Sequence, residues 1–137
     1  MKNLFLKLFV LFFFLVVLTC CTSKSKETPS PIDQALAEIK RINGIPQDSA
    51  AFKNGEQWYN YYMSFDTMVL REIKTKYAIE TTLGVLPKPN NEQPNYIGNE
   101  WTLSRHEWES PTYKLILQTH KLNKSDSAFI RIWVTKK

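Results

Sequence analysis

The sequence predicts an α+β domain: N-terminal helices packed on one face of a C-terminal antiparallel sheet of three to four strands, in the order α-α-β-β-β. Three observations carry this. Between Ile32 and Tyr77 the apolar residues recur at steps of three and four, the helical period. From Glu100 to the end they alternate, the strand period, interrupted by Ser110-Pro111 and by the polar run Asn123–Ser127. No internal repeat is present, and residues 31–137 supply enough chain for a single hydrophobic core.

The first helix is well punctuated. Ser30 can cap it, Pro31 suits the first helical position, and Asp33 favours the positive end of the dipole. Ile32, Ala35, Leu36, Ile39 and Ile42 share one face. Lys40 and Arg41 suit the last turn, and Asn43-Gly44 offers a stop with positive φ. Asp48 or Ser49 can start one further turn anchored by Phe52. A longer helix is expected after Gly55, with Trp58, Tyr61, Tyr62, Phe65, Met68, Val69, Ile73 and Tyr77 as its buried stripe and Glu72–Lys76 as an outer i,i+4 ion pair.

Ile79–Leu86 fits either a helix end or a short strand. Pro87–Asn99 is aperiodic, with three Pro and four Asn, and reads as a surface loop whose large apolar residues are Tyr96 and Ile97. Three strands close the chain at Glu100–Trp108, Tyr113–Leu122 and Ala128–Thr135. In the last, Ala128, Ile130, Ile132 and Val134 face one way and Phe129, Arg131, Trp133 and Thr135 the other. The helices are expected over the Ile130/Ile132/Leu115/Leu117 side. The pattern leaves the register of the first strand open, because a slip of one residue turns Trp101 and Leu103 over.

The N-terminus carries a sorting signal. Lys2 and Lys7 precede an unbroken apolar run, Leu8–Leu18. A membrane-spanning helix needs about 20 apolar residues, so this run suits the core of a secretory signal peptide instead. It ends in Leu18-Thr19-Cys20-Cys21. That ending resembles the lipobox of bacterial lipoproteins, in which an apolar residue lies three positions before a cysteine. The resemblance implies that the Cys21 thiol receives diacylglycerol, that the chain is cleaved before it, and that the new amino terminus is acylated with a palmitate-type chain. Cys20 is the alternative acceptor, with a poorer set of preceding residues. Two or more chains make anchoring stable where one is marginal.

The implied organisation is a signal peptide at 1–20, a lipidated tether at 21–30 and one domain at 31–137. The tether Thr22–Ser30 is too polar to order itself. Thr22, where an inner-membrane retention signal would place Asp, implies the outer membrane, with the domain on its periplasmic or surface face. The order of elements, with Leu83-Gly84 followed by Pro87 and an aromatic at Trp101, is also similar to the small lipoprotein subunit of the outer-membrane β-barrel assembly machinery. That family's Gly-Met start before the second helix is absent here and the proline comes one residue later, so the likeness is one of architecture and carries no function.

Composition excludes several classes. The chain has 18 Lys+Arg against 13 Asp+Glu, and Lys2 and Lys7 belong to the signal. This mild excess without a basic stripe argues against nucleic acid. Cys20 and Cys21 are the only cysteines, so neither a disulfide framework nor a four-cysteine zinc site is available. Four Gly leave no phosphate loop, and no nucleophile-elbow or HExxH motif occurs. No cofactor, metal or enzymatic activity is expected. His106 beside Glu107, and His120, are the residues on which acid/base or ligand-carrying chemistry would have to rest. In a strand, however, His106 and Glu107 point to opposite faces. The favoured site is the outer sheet face with Phe129, Arg131 and Trp133, together with Tyr96, because Trp and Arg are preferred interface anchors. The expectation is a lipid-anchored envelope protein that binds another envelope protein in an accessory role. An immunity or exclusion lipoprotein binding a foreign toxin or phage factor is the alternative, and a small-ligand carrier or enzyme a third.

Overall fold

A computed structural model describes residues 28–89, 95–123 and 125–137. The expected signal peptide, Cys20, Cys21 and most of the expected tether lie outside the described residues.

The elements run α1 (Pro31–Asn43), β1 (Asp48–Ala51), β2 (Glu56–Ser64), α2 (Phe65–Leu83), β3 (Asn95–Ile97), β4 (Glu100–Glu109), β5 (Tyr113–Leu122) and β6 (Ser127–Lys136). All pairings are antiparallel, and the strands lie in the order β1-β2-β6-β5-β4-β3. The α+β class holds, with both helices on one sheet face. The sheet is larger than expected, since a β-hairpin separates the helices and a short strand precedes β4.

α1 follows its sequence signals closely. Ser30 Oγ accepts from the Asp33 N–H at 3.3 Å, Pro31 opens the helix, and Gly44 ends it at φ 86°. Ile32, Ala35 and Ile39 are buried. The segment after it does not form a helical turn. Asp48–Ala51 is an edge strand on β2, and Phe52 stays exposed.

The largest difference concerns residues 56–64. Trp58, Tyr61 and Tyr62 lie on a strand, not on the second helix. All seven residues between Glu56 and Ser64 are large or polar side chains with no small residue to break either period, so the apolar spacing fits 2 as well as 3.6, and aromatic residues favour the pleated, half-buried surface of a sheet. Pairing with the central strand β6 decides it, with Trp58 opposite Trp133, Asn60 opposite Arg131 and Tyr62 opposite Phe129. The helix begins one residue after the strand ends, where Ser64 Oγ accepts from the Thr67 N–H. It runs through the ambiguous Ile79 region to Leu83 and ends at Gly84 in the left-handed conformation (φ 67°).

α2 is also rotated relative to its apolar stripe. Met68, Thr75 and Ile79 are buried, whereas Val69, Ile73 and Tyr77 are exposed. Glu72 turns inward, and Lys76 pairs with Glu80 rather than with Glu72. The sheet and α1 offer polar partners on that side: Asn43 Nδ2 donates to Thr75 Oγ1 at 2.9 Å. A satisfied polar side chain costs little to bury, which lets helix packing override the apolar pattern.

The core lies between helices and sheet. Ile32, Ile39, Met68 and Ile79 meet Tyr61, Trp108, Leu115, Leu117, Ile130, Ile132 and Val134. This is the side on which the alternation placed the helices. The three C-terminal strands stand within a residue or two of their expected bounds. A bulge between Thr102 and Ser104 resolves the register that alternation left open. Leu103 sits in the bulge and packs against the core, while Trp101 stays 41% exposed. The bulge shifts parity, so Ser104, His106 and Trp108 all lie opposite the helix-facing residues Thr119, Leu117 and Leu115. The expected 87–99 loop contains β3 and a tight turn to β4, with Gly98 at φ 63°. Residues 90–94 lie outside the described residues.

Candidate functional site

The outer sheet face is built by alternation along three neighbouring strands. Residues opposite one another across an antiparallel pair share a face, so β2 contributes Trp58, Asn60 and Tyr62, β6 contributes Phe129, Arg131 and Trp133, and β5 contributes Ile116, Gln118 and His120. The expected anchors Phe129, Arg131 and Trp133 therefore do stand together, but they are not equally accessible.

Phe129 has no exposed surface. The His120 ring stacks on it with centroids 4.5 Å apart and planes within 5°, and the Tyr62 ring lies 5.1 Å away. Phe129 thus supports the face from beneath and does not itself reach a partner. Arg131 is half-buried and held from two directions. Its Nε donates to Asn60 Oδ1 at 2.8 Å, and its guanidinium lies 5.8 Å from the Trp58 ring and 5.0 Å from the Phe129 ring. Asn60 is itself buried, so the Arg131 head is pinned rather than free to sweep. Trp58 and Trp133 stand 6.5 Å apart at 50°. Tyr62 is the most exposed ring of the group. Trp58, Asn60 and Tyr62 escape the sequence reading because the spacing of the aromatic residues also fits a helix. The available signal was the alternation Gln57/Tyr59/Tyr61/Met63 against Trp58/Asn60/Tyr62.

Tyr96 does not join this face through pairing. Its backbone pairs with Trp101 in the β3–β4 hairpin, at the far edge of the sheet from β2. Its side chain lies outside the described residues.

His120 is buried within the face. Nδ1 lies 3.3 Å from Thr102 Oγ1 and 3.8 Å from Glu100 Oε2, and Nε2 has no partner among the described residues. Burial, with a smaller contribution from the Arg131 charge, pushes its pKa down to about 4. The ring is therefore neutral at pH 7 and serves as a flat apolar lid on Phe129.

His106 belongs to the opposite face, as the strand geometry requires. There Glu72 Oε1 accepts from His106 Nε2 at 3.1 Å and from the Ser104 hydroxyl, while Ser104 Oγ lies 2.6 Å from Thr119 Oγ1. Burial raises the Glu72 carboxyl, but the bonds from His106 and Ser104 outweigh it and hold the group below its ordinary value. Ser104 donates to the Glu72 carboxylate and not to the imidazole, and the lowered pKa of Glu72 makes it a weak base toward that hydroxyl. The arrangement is a clamp that joins α2 to β4 and β5.

Glu107 lies on the outer face in a ladder of opposite charges. Arg105 reaches it at 3.1 Å, Lys114 at 3.2 Å and Lys88 at 3.7 Å. Burial raises its carboxyl, and the Arg105 and Lys114 bonds outweigh that and hold it low. Glu109 continues the ladder to Lys88 and Lys137, whose bonds pull it down to about 2. Among the described residues, no group of three or more His, Cys, Asp or Glu is arranged to hold a metal ion, and no helix is long and apolar enough to cross a membrane. No protein-family model, curated protein or solved structure matches the chain at a significant level.

Proposed function

We propose that the chain is a lipid-anchored protein of the bacterial envelope, held by Cys21, whose α+β domain grips another envelope protein through the outer sheet face. The observation that carries the binding part is the pinned Arg131 between Trp58 and Phe129, with Trp133 and Tyr62 at its sides. A guanidinium fixed by Asn60 loses little conformational freedom on binding, and rings already packed on one another lose little more. Pre-ordered Arg and aromatic side chains are the usual centres of protein interfaces. The anchoring part rests on the lipobox resemblance at Leu18–Cys21.

The test is a crosslinking pull-down of tagged, full-length protein from native membranes, compared with Trp133→Ala. A reproducible envelope protein should be captured by the parent chain, and the variant should lose about tenfold in capture. Trp133 is half-buried, so the variant should remain folded, with a melting temperature lowered by about 5–10 °C. Equal capture by both chains would remove the outer face from the interface.

A further inference from the structure

The rotation of α2 leaves an apolar stripe pointing away from the sheet. Leu70 is 63% exposed, Ile73 64% and Tyr77 70%, at helical steps of three and four, with Val69 beside them at 40%. Such a stripe ordinarily faces a core. Here the core face is Met68, Glu72, Thr75 and Ile79, and the helix turns its more apolar side outward. Ile45 adds to the same layer. Arg71 Nη1 donates to the Asn43 carbonyl at 2.9 Å, which sets the turn after α1 beside the first half of α2, and Ile45 in that turn is 77% exposed.

Basic charge is in excess on this side, although Glu38 pairs with Arg41, Glu80 pairs with Lys76, and Asp66 stands in the first turn of α2. Between residues 69 and 77 the helix carries Arg71, Lys74 and Lys76, and its single acid there, Glu72, is turned to Ser104 and His106 beneath. Exposed Lys40 and Arg41 lie on the neighbouring turns of α1. An outward apolar stripe with Tyr at its end and Lys/Arg along its flanks matches a helix lying in a membrane interface, where apolar side chains enter the acyl boundary and basic ones meet phosphate. The chain outside the domain enters at the same layer. The tether ends at Ser30, the cap of α1, and its nine residues from Thr22 span about 30 Å when extended. It also carries Lys24 and Lys26.

We infer that the outward face of the helical layer, centred on Leu70, Ile73 and Tyr77, docks on the anionic phospholipid bilayer to which the chain is tethered. This rests on the lipid-anchor reading for the source of the bilayer, but not for the chemistry of the face. Docking there turns the opposite side of the domain, with Trp58, Arg131 and Trp133, away from the lipid and toward a protein partner. The lipid anchor supplies high local concentration, and the helical face supplies orientation.

Hydroxyl-radical footprinting reads this directly in the full-length protein. The protein is compared in phosphatidylethanolamine/phosphatidylglycerol vesicles and in detergent, with intact mass recording acylation. Oxidation of Tyr77 should fall about tenfold in vesicles while Tyr62, exposed on the outer sheet face, keeps its reactivity as an internal control. Leu70→Ser with Ile73→Ser, both exposed positions, should restore Tyr77 oxidation without unfolding the domain. An acylated, vesicle-bound protein whose Tyr77 and Tyr62 oxidise equally would overturn the docking while leaving the anchor intact. An unacylated protein with Tyr77 still shielded by vesicles would overturn the anchor and keep the docking. Shielding that is equal in detergent and rises with protein concentration would assign the face to a second copy and overturn the inference.

Discussion

At the scale of single residues, the buried polar groups are the most informative. His120 sits flat on Phe129 with its charge disfavoured, and its pKa falls from 6.5 to about 4. The unfolded chain takes up this proton near pH 6.5 and the folded domain only near 4. The contribution is therefore complete above about pH 6.5 and is lost as pH falls from there toward 4, a gap worth about 3 kcal/mol. Glu72 and Glu107 act in the same direction but at lower pH, since their values lie below 4.5 in the folded state. Urea midpoints measured between pH 7.5 and 5 should therefore decline in the parent chain, and His120→Phe should flatten that decline. A slope unchanged by the substitution would place the titrating group elsewhere. Glu72 gives a second case. Glu72→Leu strips the acceptor from both Ser104 and His106 and should cost about 1–3 kcal/mol, whereas Glu72→Gln keeps an acceptor oxygen and should cost less. Equal losses for the two would show that the clamp contributes through packing and not through its hydrogen bonds.

At the scale of elements, boundaries marked by caps were legible and faces were not. Ser30, Pro31 and Gly44 delimit α1 because each supplies a local device that works whatever lies beyond it. Ser64 and Gly84 bound α2 with the same devices, although the apolar spacing starts that helix after Gly55 and leaves Ile79–Leu86 open between a helix end and a strand. Gly84 adopts φ 67° with open space where a Cβ would stand, so Gly84→Ala pays only for the left-handed backbone, about 1 kcal/mol, and thermal unfolding should record a shift of a few degrees. A much larger loss would point to a clash that the geometry does not contain. The strand β2 and the rotation of α2 were not legible. An aromatic run satisfies both periods, and the choice falls to whichever neighbour offers a ladder of backbone bonds. β6 offers one along its whole length, from Thr135 opposite Glu56 to Ser127 opposite Ser64. The outward stripe of α2 follows from the same dependence, because Thr75 and Glu72 are buried only where Asn43, Ser104 and His106 wait to receive them.

At the scale of the whole molecule, two sides carry different chemistry. The helical side is apolar and basic, and the outer sheet side presents a pinned arginine among rings with a charge ladder beside it. In the proposed reading a tether at the start of α1 joins the first side to a lipid anchor. In the proposed arrangement the domain stands between lipid and partner, one layer for each. Targeting belongs to this scale as well. Cys21→Ser with Cys20 intact should yield an unprocessed or unlipidated chain, seen as a retained signal mass by intact mass spectrometry. Normal acylation of that variant would assign the lipid to Cys20.

The sequence by itself determined what local chemistry can specify: the caps of α1, the two turns near Ser110-Pro111 and Asn123–Ser127, and the alternation that puts Ile130 and Ile132 under the helices and Arg131 and Trp133 on the other face. Each of these is decided within a few residues by backbone restriction, hydrogen bonding or apolar spacing. The tertiary structure alone decided that Trp58–Tyr62 is a strand beside β6, that Phe129 is buried beneath His120, and that Leu70, Ile73 and Tyr77 face outward. The placement of β2 and the facing of α2 depend on partners far along the chain, such as Thr75 for Asn43 at 32 residues and Arg131 for Asn60 at 71, and a pattern read along the chain does not contain them.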